Sequence, residues 1–390
     1  MKFRSFWLLL FFIIVLIAAY WVDQAKLHDD KVPQLVATLA KGSQVSDSLI
    51  ACDSSQASSI GPLVPSQDNT GANQDLSDIS PADIVPQNER SPRAGFSLSS
   101  QTNPEYWAQM LGSGWYIDWA VQSDPPLNGL EHWSMIRVNE NCISPSLESI
   151  QAAAINFPGQ VWIIGNEPDV IWQDNVTASK YAVFYHDLYQ VIKSTDPTSL
   201  IALGGISQAT PLRLKYLDQV LQSYQELYKE TMPVDWWTVH GYVLREEKGS
   251  WGVDIPPGLD ATQGELREVS DHGRIDLFEA QLRSFRQWMA DRGYQETPLA
   301  VTEFGILMPS SYGFPAEFVI GYLEQTFTWL SQIEDKSIGY PEDAYHLVQK
   351  WNWFSLSDPT YSTSDLGDLS SGKLTIVGES FRNIILSLLP

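Results

Sequence analysis

From Ala94 onward, short apolar or β-branched segments alternate with segments of helical periodicity, and this order constrains the fold more than any other feature. Strands alternating with helices form βα units that lie in one parallel sheet. A (β/α)8 barrel typically needs ~250 residues, so residues 94–390 are predicted to form a single α/β domain, a (β/α)8 TIM barrel. Eight strand candidates are present: Gly95–Leu98, Gly114–Trp119, Met135–Val138, Gln160–Ile164, Leu200–Leu203, Trp236–Tyr242, Leu299–Thr302 and Val348–Phe354.

Helical patterns lie between these strands, and a Thr, Pro or Gly often marks where a helix begins or ends. The predicted helices are Pro104–Leu111, Thr177–Thr195, Leu212–Glu230, Leu277–Arg292 and Ala316–Gln332. The segment Leu244–Arg274 contains scattered Gly and Pro. It is predicted to be a loop over the barrel mouth, where active sites of this fold lie.

The N-terminus carries an apolar run, Phe6–Val22, preceded by Lys2 and Arg4. Its length is near the lower limit for a membrane-spanning helix and exceeds a usual signal segment. Residues 1–25 are therefore predicted to be a membrane anchor, or a signal peptide if cleaved after Ala19. The basic residues ahead of the run predict that the rest of the protein lies on the extracellular face of the membrane. If the segment is cleaved, the protein is expected to be secreted.

Residues 26–93 are predicted to be a disordered tether, because residues 42–93 are rich in Ser, Asp, Gln, Asn and Pro and lack aromatic residues. Such a composition buries too little apolar surface to offset the entropy of ordering. The two cysteines, Cys52 and Cys142, imply no disulfide framework and no zinc site. No metal and no cofactor is expected.

The net charge of -23 argues against nucleic-acid binding, because the phosphate backbone would be repelled. Fifteen tryptophans and sixteen tyrosines exceed the usual needs of a core. Flat aromatic rings stack on the apolar faces of sugars, which favours an oligosaccharide or polysaccharide as partner. The protein is expected to be a monomer.

Two strands end in a glutamate. Gly165-Asn166-Glu167-Pro168 follows the fourth strand, and Pro168 stops that strand. Thr302-Glu303-Phe304-Gly305 ends the seventh. Either carboxylate alone could be a solvated residue of the barrel rim. Together they meet the requirement of glycoside cleavage for one carboxyl group that protonates the leaving oxygen and one that attacks or activates water.

These two motifs resemble those of the clan of retaining glycoside hydrolases with paired glutamates on strands four and seven. Together with Gly114–Trp119 and Val239-His240-Gly241-Tyr242, they resemble the compact endo-β-1,3-glucanase family and its uncharacterised bacterial relatives. The resemblance covers residues 94–354. It implies hydrolysis of β-linked glucan or a related polysaccharide by double displacement, with Glu167 as acid/base and Glu303 as nucleophile.

The resemblance also suggests residues that bind substrate. Asn166 would hydrogen-bond the sugar 2-hydroxyl. His240 and Tyr242 alternate on one strand and therefore face the same side; they could contact sugar, Tyr242 could bond Glu303, or His240 could be an ordinary core residue. The roles also require Glu167 to be protonated, with a raised pKa, and Glu303 to be ionised.

Three further side chains are candidates. Arg137 lies in an apolar strand, so its charge needs a partner, either a rim carboxylate such as Glu303 or a structural acid. The resemblance implies an aromatic platform on the eighth strand, for which Trp353 is the candidate because it lies near the strand's tip, and Trp119 lies at the tip of the second strand. Trp251, in the long loop, is a weaker candidate for an outer subsite.

Other chemistries lack support, since the sequence contains no Gly-x-Ser-x-Gly, no His-Glu-x-x-His and no phosphate-binding glycine loop. The main alternative is a non-catalytic carbohydrate-binding cell-surface protein on a barrel scaffold. A structural envelope protein is a third possibility. Retention of both glutamates favours the enzyme.

Overall fold

A computed structural model describes residues 49–52, 80, 84–99, 102–124, 127 and 129–389. Eight parallel strands form a nearly closed barrel, which confirms all eight predicted strands and the predicted fold. The strands are β1 (Ser91–Ser97), β2 (Ser113–Ile117), β3 (Glu131–Val138), β4 (Val161–Ile164), β5 (Leu200–Leu203), β6 (Trp237–His240), β7 (Leu299–Phe304) and β8 (Lys350–Trp353).

The strand order is β5-β4-β3-β2-β1-β8-β7-β6, so each strand lies beside its neighbours in the sequence. Between β5 and β6 the sheet is joined by isolated bridges from Ala202 to Trp236 and from Ile206 to Val239. The carboxyl ends of all eight strands consequently meet at one end of the barrel, which we call the rim.

Helices surround the barrel. They are α1 (Pro104–Leu111), α2 (Leu147–Asn156), α3 (Ala178–Thr195), α4 (Pro211–Tyr228), α5 (Ile275–Asp291), α6 (Ala316–Gln332) and α7 (Ile376–Ser387). The five predicted helices are confirmed, whereas α2 and α7 were not predicted. Within the described part of the chain, no helix follows β2.

Local sequence explains where α1 begins and ends. The Asn103 side chain accepts hydrogen bonds from the N–H groups of Glu105 (3.0 Å) and Tyr106 (3.3 Å), and Pro104 occupies the first turn. Gly112 ends the helix with φ of 75°, a left-handed conformation that glycine adopts without strain.

The strands are buried on both faces. Leu299, Val301 and Trp351 belong to the large core between sheet and helices. A second cluster contains Trp115, Trp133, Met135, Ile163, Ala202 and Ala300, whose side chains lie on the opposite strand face and fill the barrel interior. Since both faces are buried, apolar residues are required along the whole strand.

The N-terminal boundary differs from the prediction. β1 begins at Ser91, and a short 3₁₀ helix, Gln87–Glu89, precedes it, so residues 87–93 of the predicted tether belong to the ordered barrel domain. Further upstream, Ala51 bridges to Ile143, and Cys52 forms a disulfide with Cys142. The expectation that the cysteines imply no disulfide was wrong, because a separation of 90 residues carries no recognisable spacing signal.

The apolar run Phe6–Val22 lies outside the described residues. Among the residues that the structure describes, no helix is both long and apolar enough to cross a membrane.

Candidate active site

The two predicted glutamates meet at the rim. Glu167 lies just beyond β4, and Glu303 lies within β7. A carboxylate oxygen of Glu167 lies within 4.8 Å of one of Glu303. Both residues are buried, with 8% and 4% of their surface exposed. Two carboxylates so close and so poorly solvated cannot both carry a charge without nearby donors or cations.

The backbone around Glu167 turns sharply. Gly165 has φ of 85° and Glu167 itself has φ of 43°. A Cβ on Gly165 would come within 3.1 Å of the Tyr181 ring, so a larger residue there would be strained. The Glu167 N–H donates to Gly205 O at 3.0 Å, which fixes the turn against β5. A non-glycine residue at positive φ is uncommon and often marks a functional site.

His240, at the end of β6, lies between the two glutamates. Its Nδ1 is 2.8 Å from Glu167 Oε1 and 3.7 Å from Glu303 Oε2. Burial alone would lower the pKa of His240, but the negative charges of Glu303 and Glu167 raise it above its usual value. The three side chains, which we call the triad, therefore share protons.

Glu303 is held by two donors. Trp119 Nε1 donates to its Oε1 at 2.9 Å, and the Tyr242 hydroxyl donates to its Oε2 at 3.2 Å. Burial and the neighbouring Glu167 carboxylate nevertheless raise the pKa of Glu303, against the opposing effects of His240 and the two donors. Burial and the Glu167 carboxylate thus work against the expected ionisation of Glu303, which the donors and His240 favour. The predicted hydrogen bond from Tyr242 is present.

Arg137 does not reach Glu303. Its Nε is 2.6 Å from Asp174 Oδ1, and its NH2 group donates to Gln173 Oε1 at 3.1 Å. Asp174 also accepts hydrogen bonds from the N–H groups of Val138 (3.2 Å) and Asn166 (2.7 Å). Arg137 thus pairs with a structural acid, Asp174, which was the second of the two partners considered from the sequence. Asp174 in turn holds the backbone just before Glu167.

The aromatic platform is not Trp353. Trp353 is fully buried, donates from Nε1 to Ser364 O at 2.9 Å, and packs against Phe304 and Phe327 between the sheet and α6. It lies on the outer face of β8, so its prediction as a platform was wrong.

Phe354, the next residue, faces the interior instead. Its ring lies 5.9 Å from that of Trp119 and 6.2 Å from that of Tyr361. Trp119 has φ of 56°, so its backbone is also in the left-handed region. The charge of Glu167 contributes to raising the pKa of Tyr361, after burial and Asp358. Trp119, Phe354 and the partly exposed Tyr361 therefore form an aromatic row beside the triad; sequence reasoning identified only Trp119.

Asn166 lies beside Glu167 and is buried. Its Nδ2 is 3.5 Å from Gln173 Oε1, while its Oδ1 has no hydrogen-bond partner within the described residues. An amide with spare hydrogen-bonding capacity next to the catalytic candidate fits the predicted contact with a sugar hydroxyl, which stays a prediction.

The long loop is fixed to the rim by a buried arginine. Arg213 of α4 pairs with Asp169, two residues after Glu167, and its Nε is 2.8 Å from Glu246 Oε1. Its NH2 group donates to the carbonyls of Val253 (3.0 Å) and Asp254 (2.8 Å). This network was not predicted, since its members lie far apart in the sequence.

Trp251 lies in the same loop and packs, partly buried, against an apolar cluster of Val170, Tyr242, Leu244 and Val253. The cluster joins the long loop to the segments after β4 and β6. It forms one wall of the rim.

Glu167, His240 and Glu303 each offer a possible metal-ligand atom, all within 4.8 Å of one another. The Nδ1 of His240 is, however, already engaged with Glu167 at hydrogen-bond distance. We therefore treat the triad as a hydrogen-bonded group and assign no metal to it.

The fold and the rim together define a (β/α)8 barrel with paired glutamates on β4 and β7. No family model matches the chain, and no curated protein matches it in sequence. Among solved structures it is similar to a GH128 (subgroup II) endo-β-1,3-glucanase from Sorangium cellulosum, with 14% identity and a TM-score of 0.51, covering 74% of this chain and 97% of that one.

It is also similar to a GH128 (subgroup II) endo-β-1,3-glucanase from Pseudomonas viridiflava, with 16% identity and a TM-score of 0.51, covering 75% and 98%. A variant of a GH128 (subgroup I) endo-β-1,3-glucanase from Amycolatopsis mediterranei matches with 16% identity and a TM-score of 0.50, covering 75% and 99%. These neighbours share the fold, and they belong to the type of glucanase that the sequence motifs resemble.

Proposed function

We propose that this protein is a retaining glycoside hydrolase that cleaves β-linked glucan. The observation that carries the proposal is the approach of a Glu167 oxygen and a Glu303 oxygen to within 4.8 Å at the rim. Retaining enzymes place the carboxyl groups ~5–5.5 Å apart, whereas inverting enzymes need ~6.5–9.5 Å to admit a water. The observed spacing supports double displacement.

Glu303 is the nucleophile in this proposal. It attacks the anomeric carbon while Glu167 donates a proton to the departing glycosidic oxygen, and a covalent glycosyl-enzyme forms. Glu167, now a carboxylate, then takes a proton from water, which attacks the same carbon and releases Glu303. The donors Trp119 and Tyr242 stabilise the ionised nucleophile before attack and after release.

His240 accounts for the different protonation of two neighbouring glutamates. With its Nδ1 2.8 Å from Glu167, it can hold the proton that Glu167 delivers to the leaving group. One proton then lies on the Glu167–His240 pair and none on Glu303, which is the state that the reaction needs.

The substrate is proposed to be a β-1,3-glucan or a related β-glucan. Two observations support this choice: the motif resemblance to compact endo-β-1,3-glucanases, and the shared fold of the structural neighbours. Within the aromatic row Trp119 and Phe354 are buried, whereas Tyr361, which is 39% exposed, offers a flat surface for a sugar ring.

The test uses the purified protein on a panel of β-1,3-glucans, mixed-linkage β-glucans, mannans and aryl β-glucosides. Glu303→Ala should abolish turnover of an activated aryl substrate, and azide should restore it as a glycosyl azide of inverted configuration. Glu167→Ala should slow substrates with poor leaving groups most, because good leaving groups need little acid assistance. The matched control is Glu226→Ala, at an exposed glutamate on α4.

Full activity in either rim variant would refute the assignment. A product of inverted configuration from the native protein would refute retention. Tight sugar binding without turnover on any substrate would favour the non-catalytic carbohydrate-binding alternative.

We further propose that the protein acts outside the cell, held at the membrane by Phe6–Val22 or released if that segment is cleaved. The Cys52–Cys142 disulfide supports export, because disulfides persist in oxidising compartments. N-terminal sequencing of the exported protein distinguishes the two forms, since a mature terminus near Tyr20 would mean cleavage.

A further inference from the structure

Thr302 precedes the proposed nucleophile and points into the barrel. It is 1% exposed, and its hydroxyl has no hydrogen-bond partner within the described residues. On the neighbouring strand, Asn352 is also fully buried and its Nδ2 has no such partner. Leaving a buried polar group without a hydrogen-bond partner is costly, so each of these groups is expected to bind a polar partner in the protein.

The two groups lie at one level of the barrel. The β7–β8 register pairs Val301 with Trp351 and Phe304 with Trp353, so an irregularity in β7 sets both Thr302 and Glu303 opposite Asn352. Val301 and Trp351 pack outward, and side chains alternate along a strand. Asn352 therefore faces the barrel interior, and the closeness of Thr302 Oγ1 to Gly205 shows that the Thr302 hydroxyl does so as well.

His240 reaches this layer through the other side of its ring. A Cβ built on Gly205 would lie 2.8 Å from His240 Nε2 and 3.0 Å from Thr302 Oγ1. The histidine nitrogen and the threonine oxygen thus flank one point beside Gly205 without a direct hydrogen bond. A buried water needs two to four polar partners, and His240 Nε2 and Thr302 Oγ1 provide two.

The protonation state of the triad determines whether His240 Nε2 carries a hydrogen, and this argument rests on the proposed function. In the active state, one proton is shared between His240 Nδ1 and Glu167. If it lies on the histidine, the ring carries protons on both nitrogens. If it lies on Glu167, that carboxyl group donates to Nδ1 and the ring keeps its proton on Nε2. In both positions Nε2–H is a buried donor that requires an acceptor.

We infer that Thr302 is a positioning residue which, through one buried water, accepts the Nε2–H of His240 and thereby stabilises the proton-bearing state of the triad. Loss of a proton from this state leaves neutral His240 with its hydrogen on Nδ1, bound to ionised Glu167. The internal acceptor therefore favours the active state over the deprotonated one.

The charged and titratable groups facing His240 are Glu167 from the end of β4, Glu303 from β7, and Asp169, whose charge also acts on the ring. Tyr242 follows His240 by two residues, and the centroids of the two rings are 5.9 Å apart. Burial raises the pKa of Tyr242 far above its usual value, so it stays neutral. Substitution of Thr302 changes none of these charges, so a shift of the pH profile would report on the internal acceptor.

The experiment compares Thr302→Val, which has the same shape but no hydroxyl, with Thr302→Ser, which keeps the hydroxyl. The pH dependence of kcat/KM is measured with an aryl β-glucoside or a soluble β-glucan. In Thr302→Val the alkaline limb should move to lower pH by about one unit, so activity at alkaline pH falls about tenfold with a much smaller loss at the optimum. Thr302→Ser should restore the native profile.

An active Thr302→Val variant with the native alkaline limb would overturn the inference, as would an equal shift in Thr302→Ser. Two measurements do not depend on turnover or on the variants folding. A ¹⁵N NMR titration of the native His240 ring should show Nε2 protonated below the alkaline transition. A high-resolution crystal structure should show water bonded to both Nε2 and Thr302 Oγ1, and a site that is dry there would contradict the proposal even if the glycosidase assignment holds.

Discussion

His272 makes the rim sensitive to acid. This residue of the long loop is 1% exposed; its Nδ1 lies 3.0 Å from Val243 O, and its Nε2 accepts the N–H of Leu307 at 2.9 Å. The ring is therefore neutral and joins the segments that follow β6 and β7. Burial lowers its pKa to about 4, although the bond to Val243 opposes the shift.

The consequence for stability follows from the two states of the chain. The folded pKa of about 4 lies below the unfolded value of ~6.5, so unfolded chains bind this proton first. The contribution of neutral His272 is fully present above pH ~6.5 and is lost as the pH falls towards the folded value. The total is about 3 kcal/mol, of which about 2 kcal/mol is lost between pH 7 and pH 5.

The perturbation is His272→Gln, which cannot titrate and loses part of the hydrogen bonding. The assay is urea denaturation at pH 7 and pH 5, with the free energy of unfolding extrapolated to water. The variant should be about 1–3 kcal/mol less stable than the native protein at pH 7, and this difference should shrink by about 2 kcal/mol at pH 5.

The matched control is His186→Gln, whose ring stacks on Tyr228 nearer the surface, 3.6 Å between centroids. It should leave the acid-dependent loss of stability in place. If His272→Gln and the native protein lose the same stability between pH 7 and pH 5, His272 is not a buried neutral group and the reasoning fails.

Three other changes should have measurable effects. Trp119→Phe removes a donor to Glu303, so the pKa of the nucleophile should rise and the acidic limb of kcat/KM should move up by about one pH unit; an unmoved limb would contradict the role of Trp119. Arg213→Met leaves two buried carboxylates unpaired and should lower the unfolding free energy by about 3–5 kcal/mol, whereas a loss below ~1 kcal/mol would show that the network is not needed. Cys142→Ser opens a disulfide spanning 90 residues and should cost about 3–5 kcal/mol; dithiothreitol should destabilise the native protein equally and leave the variant unchanged.

The sequence by itself determined the fold and the position of the glutamates. All eight predicted strands are present, because a run of apolar residues followed by a turn residue is a local signal. The same signal located Glu167 and Glu303, since Pro168 ends one strand and Gly305 follows the other. The carboxyl ends of parallel strands must meet at one rim, so the approach of the two side chains also follows from local pattern.

Tertiary structure alone decided which face of a strand points inward. Because side chains alternate along a strand, Trp351 and Trp353 lie on the same face of β8. A strand that is buried on both faces is apolar throughout, so its sequence does not show whether that face points into the barrel or towards the helices. The one contrary residue, Asn352, marks the interior, where it bonds Ser97 at 2.5 Å. The position of Asn352 therefore predicts that Phe354, and not Trp353, faces the barrel interior.

The tertiary structure also determined which residues far apart in the sequence pair with each other. The partner of Arg137 proved to be Asp174, and that of Cys52 proved to be Cys142. Many acids could have satisfied the arginine, and residues far apart in the sequence leave no local pattern. Such pairs are chosen only when the packed barrel brings side chains together, because charge and hydrogen bonding require a partner without specifying which one.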